Sequence, residues 1–174
     1  MKKSLETMVA IIALIFLIVI LICCSRPYTV EQAAPVETAR DDRFIAYDNG
    51  TVLDMKTKLM WAAKDNGSDI NWQGAKFYCE NYRGGGYKDW RMPTMDELEG
   101  LYDGRKSRPA TCSGGNSIHV ATALIDITCF YSWAAETSST TAEASIFDFG
   151  PGIRSAFASQ LPRLSRALPV HSGK

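Results

Sequence analysis

The sequence predicts an α+β domain of two short helices among short antiparallel strands, preceded by one N-terminal transmembrane helix. Three observations carry that expectation. An unbroken apolar run extends from Met8 to Cys24. Two helix starts carry capping residues, at Asn71 and at Thr94. Around them lie short β-branched and aromatic segments punctuated by Asn-Gly and Gly-Pro-Gly turns.

Met1-Lys2-Lys3 precedes the apolar run, which as a helix rises roughly 25 Å, near the lower limit for a ~30 Å hydrocarbon core. A helix apolar on every face has no place in a small soluble domain. Three fates compete: an uncleaved signal anchor, a lipoprotein signal and a cleaved secretory signal. The nearby small-x-small triplet is Cys23-Cys24-Ser25, with Pro27 just beyond it. Ile22 stands before Cys23, where acylation expects a small residue. Both sites are poor, which favours the anchor and leaves the other two open. Lys2 and Lys3 against the single flanking Arg26 then orient the chain. Residues 1–7 are expected in the cytoplasm and 8–24 across the bilayer, with the remainder on the periplasmic or extracellular side.

Residues 25–43 carry two prolines, alternating charges and no apolar period, and read as a linker. The domain is expected over 44–174. Phe44–Asp48, Asn49-Gly50 and Thr51–Asp54 read as a β-hairpin with a type I′ turn. Leu59–Ala62 is a third strand. Asn71 caps a helix running to about Tyr82, with Trp72, Ala75, Tyr78, Cys79 and Tyr82 along one face; Gly84–Gly86 ends it. Thr94 and Glu97 form a capping box for a second helix, with Leu98 and Leu101 on its apolar side and its end near Gly104. Ser145–Phe149 and Ile153–Phe157 flank a Gly-Pro-Gly turn as another hairpin. Ala167–Val170 is a closing strand that Pro169 places at an edge.

The 19 Lys+Arg against 19 Asp+Glu give zero net charge, which argues against nucleic-acid binding through a basic footprint. There is no Gly-X-Y period and no heptad, and aromatics make up 10%, so collagen, coiled coil and wholesale disorder are excluded.

Cys23 and Cys24 close the apolar run. Cys112 and Cys129 bracket a loop-rich stretch, where a disulfide is expected outside the cytoplasm. Cys79, on a helix face among aromatics, reads as a buried small hydrophobe. No Cys-x-x-Cys or G-x-S-x-G motif is present, and Gly84–Gly86 does not continue into G-x-G-x-x-G. His119 and His171 are the two histidines, and His171 reads as part of a polar tail.

Several strings together resemble one family. They are Gly50-Thr-Val-Leu-Asp54, Thr57-Lys-Leu-Met-Trp61, the spacing of Trp72, Ala75 and Cys79, and Asp89-Trp90-Arg91-Met92-Pro93-Thr94 followed by Glu97-Leu98. This set is similar to the DUF1566 domain, also called the Lcl C-terminal domain after a collagen-like bacterial surface adhesin. The resemblance implies a C-type-lectin-like fold, distantly related to formylglycine-generating enzymes, in bacterial envelope or secreted proteins. It departs from the family at Lys58, where a glycine is usual, and at Trp133-Ala-Ala-Glu-Thr137, where Trp-Ser-Ser is common. The late strand, Ser165 to Val170, lacks the family's cysteine, so the partner that cysteine offers Cys79 in many relatives is missing.

Within this resemblance Trp61, Trp72, Asp89, Trp90, Arg91, Pro93, Thr94, Glu97 and Trp133 form the structural motif, with Arg91 expected to fork onto a carboxylate or backbone carbonyls. No catalytic residue and no metal ligand is expected. Calcium is the cofactor a lectin-like fold would admit, but the sugar-binding strings Glu-Pro-Asn, Gln-Pro-Asp and Trp-Asn-Asp are absent, and Asp65, Asp69, Asp126 and Asp148 stand singly. The expected function is a membrane-anchored envelope protein whose ectodomain binds a glycan, peptide or envelope protein without catalysis. A structural role in the envelope is the first alternative, and a formylglycine-generating-type enzyme the second.

Overall fold

The computed structural model describes residues 15, 33–112, 114–138, 142–161 and 164–173, and divides the chain into units Met1–Ala34 and Pro35–Lys174. Among the described residues no helix is long and apolar enough to cross a membrane. Apart from Ile15, the run Met8–Cys24 lies outside them.

The second unit is mainly β with two short helices. Its first sheet holds five antiparallel strands in the order β1-β2-β3-β4-β11: β1 (Glu37–Asp41), β2 (Phe44–Tyr47), β3 (Thr51–Asp54), β4 (Leu59–Ala62) and β11 (Val170–Ser172). The second sheet has the order β10-β7-β8-β9, from β7 (Tyr131–Thr137), β8 (Glu143–Asp148), β9 (Ile153–Ala158) and β10 (Ser165–Arg166). Only β10 in it runs parallel to its neighbour. A two-stranded ribbon, β5 (Arg108–Pro109) with β6 (Ser117–Ile118), stands apart. The helices are α1 (Trp72–Asn81) and α2 (Met95–Glu99).

Strand alternation divides the first sheet into two faces. Val52, Trp61 and Val170 sit opposite one another in register and enter the main core with Phe44, Leu98, Leu101 and Phe147. Ile45, Leu53, Met60 and His171 form the row on the other face, over which Trp90 packs. His171 is therefore not part of a polar tail: it pairs with Met60 and is 1% exposed.

Other expectations shift as well. Glu37–Asp41, the end of the presumed linker, is strand β1, because its backbone finds β2 as a partner. The turn after β2 spans Asp48–Gly50: Gly50 N donates to Tyr47 O at 3.2 Å, and of Asn49 and Gly50 only the glycine has positive φ, +77°. A type I′ turn needs positive φ at both central residues, so this is a type I turn closed by a left-handed glycine. Helix α2 ends at Glu99 rather than near Gly104: Leu101 N and Tyr102 N turn back only three residues, to Leu98 O and Glu99 O, each at 3.0 Å, and Leu101 O accepts from Ala121 N at 2.7 Å. Ala167–Val170 is not one strand. Residues 165–166 belong to the second sheet and 170–172 to the first, with Pro169 O accepting from Ala62 N at 3.0 Å. Lys58, where the family usually has glycine, holds φ +61°, a left-handed conformation that glycine adopts without strain.

Candidate functional site

The motif tryptophans fall in three core clusters, Trp61 in one, Trp72 and Trp133 in a second and Trp90 in a third. A clamp centred on Arg91 holds the segment from Asp89 to Glu97. Asn71 caps α1, accepting from Gly74 N, and Trp72 at its first position donates its indole N–H to Ala134 O at 2.9 Å. Trp133 packs in the same cluster and donates to Ile70 O at 2.7 Å. Trp61 lies in the main core, its indole nitrogen buried without a hydrogen-bond partner. Trp90 donates to Gly84 O and meets the Tyr82 and His171 rings edge-on at 4.9 and 4.5 Å. Asp89 is exposed, its carboxylate 3.5 Å from His171 Nδ1.

Arg91 fastens this segment twice. Its backbone exchanges two hydrogen bonds with Val170, and its guanidinium forks onto Glu97 at 2.6 and 2.7 Å. Glu97 completes the capping box with Thr94, and buried Pro93 accepts from Ala135 N at 2.8 Å. Burial pushes the Glu97 carboxyl up, but the Arg91 and Thr94 hydrogen bonds outweigh it and hold it below the usual range. The clamp orients backbone and fills core.

A second polar group is buried. Asp65, 4% exposed, accepts from Thr128 N at 2.7 Å, Thr128 Oγ1 at 3.0 Å and Gly67 N at 2.8 Å. Arg166 Nε donates to Thr128 Oγ1 at 2.8 Å, and the Arg166 guanidinium pairs with Asp69. Burial pushes the Asp65 carboxyl above its ordinary value despite those hydrogen bonds. Beside this hub Cys112 and Cys129 form the expected disulfide, with Cα atoms 5.3 Å apart, and Thr128 O accepts from Cys112 N. Cys79 is a buried free thiol, pushed up to about 12 by burial, and so is protonated and inert.

An open polar site of about 520 Å³ is lined by Asp96, Glu136 and Arg154, among others. Another lies in a furrow between the β1–β2 turn and the segment after α2. One cavity of about 430 Å³ is lined by Asp42, Arg43, Phe44, Tyr102, Arg105 and Lys106, among others. A smaller one of about 200 Å³ continues past Lys106 toward Arg108 and Thr122. Lys106 Nζ donates to Ala121 O at 2.6 Å and sits 3.3 Å from Asp41. Asp41 lies below its usual range, first through the Thr122 hydroxyl and then through Lys106. Arg105 forks onto Asp103, whose carboxyl is lowered to about 2 by that pairing. Arg43 donates to Gly100 O at 2.6 Å and lies 3.0 Å from Asp54, an ionic contact because Nε makes no hydrogen bond. Its guanidinium covers the Phe44 ring at 4.7 Å.

The Lcl C-terminal domain model matches residues 50–166, two thirds of the sequence. The chain belongs to the Lcl C-terminal domain family. No curated protein and no solved structure matched it. The family match contains the motif clamp, the disulfide and the post-α2 side of the furrow, while Asp41–Phe44 and β11 lie outside it. None of the sequence-predicted site residues lines the furrow. Its signal was the charge density of Asp41-Asp-Arg43 and of Asp103-Gly-Arg-Lys-Ser-Arg108, segments far apart in sequence. Among the described residues no group of three or more His, Cys, Asp or Glu could hold a metal ion.

Proposed function

We propose that this chain is a membrane-anchored bacterial envelope protein whose Lcl C-terminal domain is a non-catalytic binding module for a glycan, peptide or envelope protein. The observation that carries the reading is the furrow. Its polar groups are fixed in ion pairs and backbone hydrogen bonds before any ligand arrives, which lowers the ordering cost of binding. The disulfide supports a periplasmic or extracellular setting, where such bonds persist. A formylglycine-type reaction would call on a pair of reactive thiols. Here Cys112 and Cys129 are joined and Cys79 is buried, which favours binding over that chemistry. A C-type-lectin-like fold, which the family resemblance implies, belongs to this reading, and the two short helices among short, mostly antiparallel strands support it. The test is affinity capture from an envelope extract with the full-length chain, compared with an Asp42→Asn/Arg105→Ala variant. The reading expects a partner or glycan retained by the wild type and released by the variant. Identical capture profiles would refute it.

A further inference from the structure

We propose that the furrow recognises a neutral, hydroxyl-rich saccharide unit rather than a charged ligand. The inference rests on the binding-module reading and narrows it to a ligand class. Each furrow cation already faces a carboxylate: Arg43 faces Asp54, Arg105 faces Asp103, Lys106 faces Asp41 and Arg108 faces Asp126. A field balanced in this way gives a polyanion or polycation no long-range attraction. The Arg105–Asp103 and Lys106–Asp41 pairs present an acceptor beside a donor to the furrow, whereas Asp54 is buried beneath Arg43. A hydroxyl is the neutral group that donates and accepts at once. Vicinal hydroxyls can therefore bridge a carboxylate and its cation without separating them.

Asp42 adds the opening for the first such bond. It is held at φ +53° in the β1–β2 turn, lines the larger cavity and has no hydrogen-bond partner among the described residues. Opposite stands Tyr102, its ring fixed against Phe147 and His119 at 5.9 and 6.0 Å, a rigid wall with an apolar body and a polar tip. The larger cavity, about 430 Å³, lies in the range of small-ligand sites (roughly 300–1,000 Å³). The smaller chamber of about 200 Å³, reached across Lys106, gives a second sugar ring somewhere to go.

The test uses the full-length chain in a sugar-free zwitterionic detergent, titrated by NMR with cellobiose, maltose, lactose and diacetylchitobiose. Glucuronate and a sulfated heparin disaccharide form the anionic arm. The expected result is millimolar or tighter binding of at least one neutral disaccharide, insensitive to added salt, with shifts centred on Gly100, Tyr102 and Ala121. Asp42→Asn, which still tolerates positive φ, and Arg105→Ala, on the surface, should each weaken it about tenfold while leaving the melting profile unchanged. Binding confined to the anionic arm and lost in salt would overturn the inference, as would neutral binding untouched by both variants or no binding at all. Furrow-dependent capture of an envelope protein alongside a failed sugar titration would leave the binding-module reading standing and remove this one. Failure of both would remove both.

Discussion

Asp65 with Arg166 and Asp41 with Lys106 draw on the same groups, a carboxylate, a cation and a threonine hydroxyl bonded to the acid. Arg166 reaches Asp65 through Thr128 and pairs directly with Asp69, whereas Lys106 pairs with Asp41 itself. Their surroundings differ. The Arg166 side chain is 5% exposed and Asp65 4%, whereas Lys106 and Asp41 are 41% and 34% exposed. The consequence shows in the acids, since burial drives Asp65 up while hydrogen bonding draws Asp41 down. In the hub the charges have lost water and depend on one another. In the furrow they keep water and can exchange it for a ligand. Burial, rather than residue type, separates a polar cluster that holds the fold from one available for recognition.

The sharpest way to break this comparison is to remove a hub cation. Arg166→Met removes the buried donor to Thr128 Oγ1 and the partner of Asp69, two charge-assisted contacts, and should lower stability by about 3 kcal/mol in urea unfolding. A loss no larger than that of a furrow variant would erase the distinction. Opening the disulfide comes next. The bond spans 17 residues and abuts the hub at Thr128, so reduction should remove about 3 kcal/mol and speed amide exchange at Cys112, whose N–H is bound there. Cys79 should remain unlabelled by thiol reagents until the reduced chain unfolds.

Glu97, with a 17% exposed side chain, lies between the extremes. Glu97→Gln weakens both the fork to Arg91 and the capping box, for about 1–2 kcal/mol near neutral pH. The pH dependence sharpens the contrast because the two acids move oppositely. Glu97 is lowered by folding, so its contribution is complete above the ordinary glutamate range and disappears as pH falls through its folded value. The Glu97→Gln deficit should therefore shrink in acid. Asp65 is raised, so its contribution is complete below the ordinary aspartate range and declines as pH rises through its folded value. An Asp65→Asn variant should gain on the wild type over that rise. Melting curves across the acid range check both signs. The smallest effect belongs to the furrow: Asp41→Asn should shift stability by less than about 1 kcal/mol.

What the sequence revealed was local. Asn71, Thr94 and Glu97 announce their helices because caps act within three residues, and the apolar spacing of Ala75 and Cys79 marks the buried face of α1. Arg91 was expected to fork onto a carboxylate, and Glu97 is six positions away. What stayed hidden is long-range. Asp65 meets Thr128 across 63 positions, and Lys106 meets Asp41 across 65. Asp41-Asp-Arg43 looked like tether because charged residues without a period give no strand signal, although their backbone is half of a β-pair and its turn. His171 looked solvent-exposed for a similar reason: no neighbour in sequence discloses that Met60, Tyr87 and Trp90 surround it.

The segment from Ser165 to Ser172 first lies beside β7 in one sheet and then beside β4 in the other, with Arg166 closing the buried hub on the way. This imposes an order on folding during synthesis. The other strands of both sheets are translated before the segment that stitches them, so the nascent domain must wait with β4 as an open edge and with Thr128 and Asp69 lacking Arg166. An unfinished chain of this kind exposes strand edges and apolar rows, which makes it a substrate for chaperones and proteases. The same stitch then acts as a checkpoint on completeness, because any product ending before Arg166 lacks the residues that close the hub and cover the β4 edge.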